Sequence, residues 1–345
     1  MIRIITHQHC LDGFHSAFIA KKYILPFLNI NTEHIEIIPV NPTEIELDQI
    51  ELQETDFVLD LPRPKRPVFF WADHHLTSKP RIKDQSTQIT TTQSIKIPHE
   101  MWRDNASCTG LLIEYLTEQK YQLPQEVFQL KAILDKTDKA SYSPKEYEEC
   151  FVTPNFSNPS LLQQTIFLST TFQTKDAVLN QILFTGLLQK NLGSIPTLSE
   201  YFQSPYLQLF AKAHFQNMKE WRELMDTIFE ENIQASCVIQ DDRKLTLRRG
   251  VVDRFYVYYK YKNAKYSINL REHDDGTVRI GIGKNVFYYK EQPIDIGQLC
   301  KSVGKRFGNG SGGGHKDVGG CAVDKDNGDL ALHYILDEIK KAIPK

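Results

Sequence analysis

Three residues in a row, Asp73-His74-His75, follow the apolar run Val68-Phe69-Phe70-Trp71-Ala72. A carboxylate beside two imidazoles can ligate a metal or handle a proton. The run before them reads as a buried strand, which delivers them to its own C-terminal edge, where open α/β sheets bind ligands. Two other runs end alike. Ile2-Arg3-Ile4-Ile5-Thr6 leads into His7-Gln8-His9-Cys10-Leu11-Asp12-Gly13, and Phe57-Val58-Leu59 leads into Asp60. Oxygen and imidazole donors at three strand ends are the layout of a metal site and of metal-assisted hydrolysis.

Each of these residues also has a plainer reading. Asp12 and Gly13 suit a polar turn that caps the next helix; as ligands, His7 comes first off the strand and Asp12 sits one turn away. Asp60 alone is a turn former, but a carboxylate at a shared sheet edge can bridge two cations, one oxygen for each. Neighbouring side chains on an extended segment point to opposite faces. His74 and His75 therefore divide the work: one ligates, the other faces an anionic substrate oxygen, and Asp73 orients a histidine. Asp135 and Asp138 lie three apart in Ala132-Ile133-Leu134-Asp135-Lys136-Thr137-Asp138 and share a helix face. Either could complete a cation site, while one of the two is expected to pair with Lys136 or Lys139.

A second constellation lies late in the chain. Gly308 to Gly320 holds seven glycines in thirteen residues, including Gly312-Gly313-Gly314-His315-Lys316. Consecutive glycines let backbone N–H groups converge on an anion, and His315 and Lys316 add donors. The alternative is a flexible linker, against which stands the core-like Gly319-Gly320-Cys321-Ala322-Val323 that follows. Arg271, after Ser267-Ile268-Asn269-Leu270, could hold a phosphate bidentately; otherwise it is an ordinary surface arginine.

The elements that must position these residues alternate in the α/β manner over the first 140 residues. Strands are expected at 2–6, 34–40, 57–60 and 68–72, with helices over 13–24, 111–116, 125–138, 161–172 and 177–192. Residues 77–100 read as a polar loop or insertion. A long helix over 206–231 leads onward. Short strands follow at 237–239, 246–248, 255–259, 267–271 and 278–282, and a last helix over 330–342 closes the chain. The fold class is α/β: an N-terminal, mostly parallel sheet flanked by helices (1–200), a linking helix (201–232) and a smaller α/β C-terminal domain (233–345).

Composition sets limits. The 345 residues are 41% hydrophobic with a net charge of -2, enough for two cores and without a global polyanion-binding signature. The six cysteines, 10, 108, 150, 237, 300 and 321, include no Cys-x-x-Cys pair. That argues against a disulfide framework and for a reducing compartment. No apolar stretch approaches the ~18–20 residues of a membrane span, and the N-terminus opens on a core strand rather than a signal peptide. A soluble cytoplasmic protein is the expectation; a homodimer is compatible with it.

Taken in order, the constellation resembles the DHH phosphoesterase superfamily with its DHH-associated C-terminal domain. The matching segments are His7 with Asp12-Gly13, then Asp60, then Asp73-His74-His75, then Asp135 and its neighbours, and finally Gly312-Gly313-Gly314-His315. Asn105-Ala106-Ser107-Cys108 also has the look of the family, and the resemblance covers nearly the whole chain. It implies a catalytic α/β domain holding two divalent cations, manganese first and magnesium or another transition metal as alternatives. It implies a smaller domain that binds substrate. His7 would serve one cation, Asp12, His74 and Asp135 the other, and Asp60 both. Asp73, His74 and His75 would form the catalytic triplet, and Arg271, Gly312, Gly313, Gly314 and His315 would hold phosphate. The substrate would be a short oligonucleotide or another phosphate chain. Cys10 departs from the pattern: many members carry an aspartate there, and a thiol is a softer ligand. His9, Cys10 and Asp138 are thus further candidates.

The implied activity is a two-metal phosphodiesterase or exonuclease. A polyphosphate or pyrophosphate hydrolase is the variant within the class, and a catalytically degenerate nucleotide-binding regulator the reading outside it. His7-Gln8-His9 also fits amidohydrolase-type metal barrels, but those need about eight βα units with later histidine ligands. The histidines after residue 150 lie in no such context.

Overall fold

Ile4 and Ile5, adjacent on the first strand, are both fully buried. A strand buried on both faces belongs in a parallel sheet covered by helices, and that is what forms. The computed structural model of the chain describes residues 2–75, 88–90, 96–172, 205–245, 253–289 and 293–342. They divide into two compact units, Met1–Tyr142 with Thr153–Lys212, and Ser143–Val152 with Ala213–Lys345.

In the first unit, β1 (Ile2–His7), β2 (Ile35–Val40), β3 (Phe57–Leu59), β4 (Phe70–Asp73) and β7 (Glu100–Trp102) form a parallel sheet in the order β2-β1-β3-β4-β7. Side chains alternate between its faces. Ile4, Phe57, Leu59, Phe70 and Ala72 pack against helices α1 (Leu11–Ile19) and α2 (Cys108–Glu118). Ile5, Val58 and Trp71 face the other way, with Val40 and Leu61. Helices α3 (Gln125–Asp138) and α4 (Leu161–Phe172) also belong to the unit. The register is what matters for chemistry. Thr6 lies beside Leu59, and Leu59 beside Ala72, so β1, β3 and β4 end at one edge.

In the second unit the sheet order is β12-β13-β11-β10-β9-β8. Its strands are β8 (Phe229–Asn232), β9 (Cys237–Asp241), β10 (Tyr266–Glu272), β11 (Thr277–Lys284), β12 (Gly312–Gly314) and β13 (Val318–Asp324). Strands β9 and β10 are parallel and the other pairs antiparallel. Helix α5 (Pro205–Met225) contains the boundary between the units; α6 (Tyr256–Lys260), α7 (Ile296–Phe307) and α8 (Gly328–Ala342) lie within the second. Ile268, Leu270, Ile280 and Val323 form its core with Cys300, Val303, Ile335 and Ile339. The segment Ser143–Val152 is anchored here because Tyr147 Oη and Arg222 Nη1 both donate to Asp253 Oδ2 (2.6 and 2.9 Å), and Arg222 also reaches the Phe151 carbonyl.

Several elements differ from the sequence expectation. The helix expected to 231 ends at Met225, and Phe229–Asn232 becomes the edge strand β8. Residues 255–259 have strand-forming side chains but make α6, with Asp253 accepting the Phe255 N–H and burying Val257 and Tyr258 beside Val238. Within the expected loop 77–100 an antiparallel ribbon pairs β5 (Gln88–Thr90) with β6 (Lys96–Pro98). The expected helix 177–192 and strand 246–248 lie outside the described residues. Gly312–Gly314 is neither a linker nor a loop. It pairs with Gly319–Cys321, and a Cβ at Gly312 would meet the Cys300 carbonyl of α7 at 2.3 Å. Among the described residues no helix is long and apolar enough to cross a membrane.

Candidate metal centre

Asp60 leaves β3 with φ 56°, a left-handed backbone costing about 1–2 kcal/mol for a residue other than glycine. This turn sets a carboxylate that is only 1% exposed at the shared strand edge. Its Oδ2 lies 3.2 Å from His7 Nδ1 at the end of β1, and its Oδ1 lies 3.5 Å from His74 Nε2 beyond β4. One carboxylate thus stands between two groups of donors. His7 is where it is because Gly13 lets α1 start against the strand end: a Cβ there would meet the His7 carbonyl at 2.3 Å.

Asp12 enters from the first turn of α1. Its Oδ2 accepts the Cys108 N–H (2.6 Å) and its Oδ1 the Thr109 N–H (2.9 Å), so it is fixed by the N-terminus of α2, where backbone dipoles favour negative charge. His74 Nδ1 meets the Asn105 carbonyl at 3.3 Å. That bond turns Nε2 toward the acids, 3.7 Å from Asp12 Oδ2 and 3.5 Å from Asp138 Oδ2. Asp73 Oδ1 accepts the His74 backbone N–H (2.8 Å) and faces His75 Nδ1 at 2.7 Å. His75 is held this way while its ring stays half-exposed.

The donors fall into groups whose atoms lie within 4.8 Å of one another: His7, Cys10 and Asp60; Asp12, His74 and Asp138; and Asp60, Asp73, His74 and His75. They fit divalent cations. Asp60 Oδ1, Asp73 Oδ2 and His74 Nε2 are buried without a hydrogen-bond partner, a costly state for polar atoms that a cation relieves. The electrostatics agree. Burial, then Asp60 and Asp138, push the Asp12 carboxyl well up. Burial and Asp60 push Asp138 up to about 6. Burial lowers His74, but the Asp60 carboxylate 3.5 Å away and the other acids around it raise it to about 10. Burial disfavours ionised Asp60, yet the bond from His7 and the nearby His74 hold it below the usual carboxylate range. Without a cation, a proton on His74 is what balances this charge.

The sequence candidates separate on this geometry. His7, Asp12, Asp60, Asp73, His74 and His75 come together, with Cys10 and Asp138 beside them. Asp135 does not join them. It accepts from Ser107 Oγ and Lys131 Nζ, each at 2.5 Å, because three helix positions leave its side chain ~60° from that of Asp138. His9, at φ 59°, turns to the Phe172 carbonyl at 3.2 Å. In the second unit Arg271 is partly exposed, 3.7 Å from Asp242, and lines a cavity of about 370 Å³ with Trp221, Asp242 and His273. His315 is exposed at the end of β12. Sequence reasoning noted Asn105-Ala106-Ser107-Cys108 but gave no role to the supporting groups found there, the Asn105 carbonyl and the N–H groups of Cys108 and Thr109. Backbone donors carry no signature of their own beyond Ser107 as a helix cap.

No family model and no curated protein sequence matches the chain. Solved structures do. A pGpG-specific phosphodiesterase, PggH from Vibrio cholerae, superposes with a TM-score of 0.72 at 18% identity, covering 99% of this chain and 100% of that one. Exonuclease RecJ bound to manganese superposes with a TM-score of 0.53 at 12% identity, covering 99% and 90%. At these identities the likeness concerns the fold, and that fold is the two-unit α/β arrangement implied by the sequence resemblance.

Proposed function

We propose that this chain, folded as DHH phosphoesterases are, is a metal-dependent phosphodiesterase that hydrolyses short oligonucleotides or dinucleotides. The observation that carries the reading is Asp60: buried, with one oxygen toward His7 and the other toward His74. It would be shared by two cations, with His7 on one side and Asp12, His74 and Asp138 on the other. When bound, such cations supply charge for the phosphoryl oxygens and lower the pKa of a bound water. The chain's own groups do the rest. Asp73 holds His75 by Nδ1, which leaves Nε2 free to donate to a phosphate oxygen. Asn105 fixes the tautomer of His74, and the Cys108 and Thr109 N–H groups at the α2 N-terminus hold Asp12 in place. Arg271 and His315 of the second unit are proposed to hold the terminal phosphate.

The test is hydrolysis of pGpG, pApA, short RNA, short DNA and pyrophosphate with Mn2+ or Mg2+, by wild type and Asp60→Asn. Cleavage of a short phosphodiester is expected. The variant should lose more than the roughly 10–100-fold that follows removal of a ligand's orienting partner. Phosphate release from pyrophosphate alone would move the reading to an anhydride hydrolase. Nucleotide binding without any hydrolysis would make the chain a regulator, and equal activity in the variant would end the two-cation reading.

A further inference from the structure

The two donor groups around Asp60 are chemically unlike. Asp12, His74 and Asp138 offer one imidazole and two carboxylates, a set that suits manganese or magnesium. On the other side of Asp60 stand His7 and Cys10. Cys10 occupies the N-cap of α1, with extended backbone (φ -123°, ψ 132°), and its carbonyl accepts the Phe14 N–H. The backbone is thereby fixed, and the thiol lies within 4.8 Å of the His7 and Asp60 donor atoms. On this side the Asp60 carboxylate, only 1% exposed, presents Oδ2 at 3.2 Å from His7 Nδ1, while its Oδ1 faces His74.

We propose that Cys10 is a thiolate ligand, so that the His7–Cys10–Asp60 position takes a thiophilic divalent ion, zinc, ferrous iron or cobalt, while the Asp12–His74–Asp138 position takes a harder one. The inference rests on the two-cation reading above and adds that the two positions differ. Mixed sulfur, nitrogen and oxygen donors favour borderline metals, whereas all-oxygen or oxygen-rich sets do not. Cys108, the other thiol near the acids, turns instead to the Ala72 carbonyl at 3.4 Å.

Cobalt substitution tests this without reference to turnover. Metal-free full-length protein is titrated with Co2+ and its near-ultraviolet and visible absorption recorded, for wild type, Cys10→Ser, Cys10→Asp and Cys108→Ser. Wild type and Cys108→Ser should gain a sulfur-to-cobalt charge-transfer band. Cys10→Ser and Cys10→Asp should lack it while still binding cobalt at the oxygen-rich position. Metal analysis after exposure to equal Zn2+ and Mn2+ should find both ions on wild type and mainly Mn2+ on Cys10→Asp. Cobalt binding with no such band, or a band that survives in Cys10→Ser, overturns the thiolate ligand and leaves the two-cation reading standing. Failure of wild type to bind any divalent ion overturns both.

Discussion

Asp135 and Asp138 show how finely the site is set at the level of single residues. Both acids were visible in the sequence, with Lys136 or Lys139 as the expected partner of one, but Asp135 pairs with Lys131, four residues before it on the helix. That pair forms at 2.5 Å and holds Asp135 away from the cluster, while Asp138 lies 3.5 Å from His74. Asp138→Asn should therefore weaken Mn2+ binding by well over tenfold in a calorimetric titration. Asp135→Asn should leave it unchanged within threefold and lower stability by about 1–2 kcal/mol, for a partly exposed ion pair and one hydrogen bond. The acid–histidine set also fixes a pH dependence. His74, raised to about 10, is protonated at neutral pH before a cation arrives. The cation must displace that proton, so affinity should rise with pH between about 6 and 10. Below about 6, Asp138 also takes up a proton, and the dependence should steepen. Titrations at pH 7.5 in buffers of different ionisation enthalpy should show about one to two protons released per cation at this position, from His74 and from Asp12, whose carboxyl is also pushed up. A release near zero would mean that His74 is not a ligand. The choice between the two aspartates, and the proton balance, needed coordinates because both depend on helix phase and on neighbours distant in sequence.

Among the elements, the strands that deliver the site were legible because their apolar runs are buried on both faces and end in polar donors. The same reasoning misread 255–259, where strand-forming residues make a short helix just after Asp253 accepts the Phe255 N–H; within Gly308–Gly320, Gly308, Gly312, Gly314 and Gly319 stand where an added Cβ would meet backbone. Glycines can be told apart by what a side chain would meet. Gly13 lies at the junction of β1 and α1, and an added Cβ would fall 2.3 Å from the His7 carbonyl and 2.9 Å from His7 Cβ. Gly13→Ala should cost about 1–3 kcal/mol, as overpacking does, and should weaken the cation bound by His7. Gly281 on β11 has nothing within 4 Å of its would-be Cβ. Gly281→Val should fold normally and gain up to about 1 kcal/mol, because glycine is costly within a strand. Thermal unfolding with and without Zn2+ separates the two: the first variant should lose both stability and much of the Zn2+-induced rise, and the second should lose neither.

At the scale of the whole molecule, the two compact units have separate cores and separate polar anchors. The acid–histidine cluster belongs entirely to the first unit, and the buried Tyr147–Asp253–Arg222 group entirely to the second. That segregation predicts opposite handles on unfolding. A ligand that binds only the native first unit stabilises it by mass action, about 2.7 kcal/mol at a hundredfold excess over its dissociation constant. Asp253→Ala removes the acceptor for an almost fully buried guanidinium, a loss of about 3–5 kcal/mol when one partner of a buried pair is deleted. Scanning calorimetry of the full chain should then show Mn2+ moving one transition upward and Asp253→Ala moving the other downward. The Mn2+ shift should be the same in the variant as in wild type, because no residue of the cation cluster lies in the second unit. A single transition that responds to both would instead mean that the two cores unfold as one cooperative block. The segment Ser143–Val152, anchored in the second unit by Tyr147, would then be the first connection to cut in search of the cause.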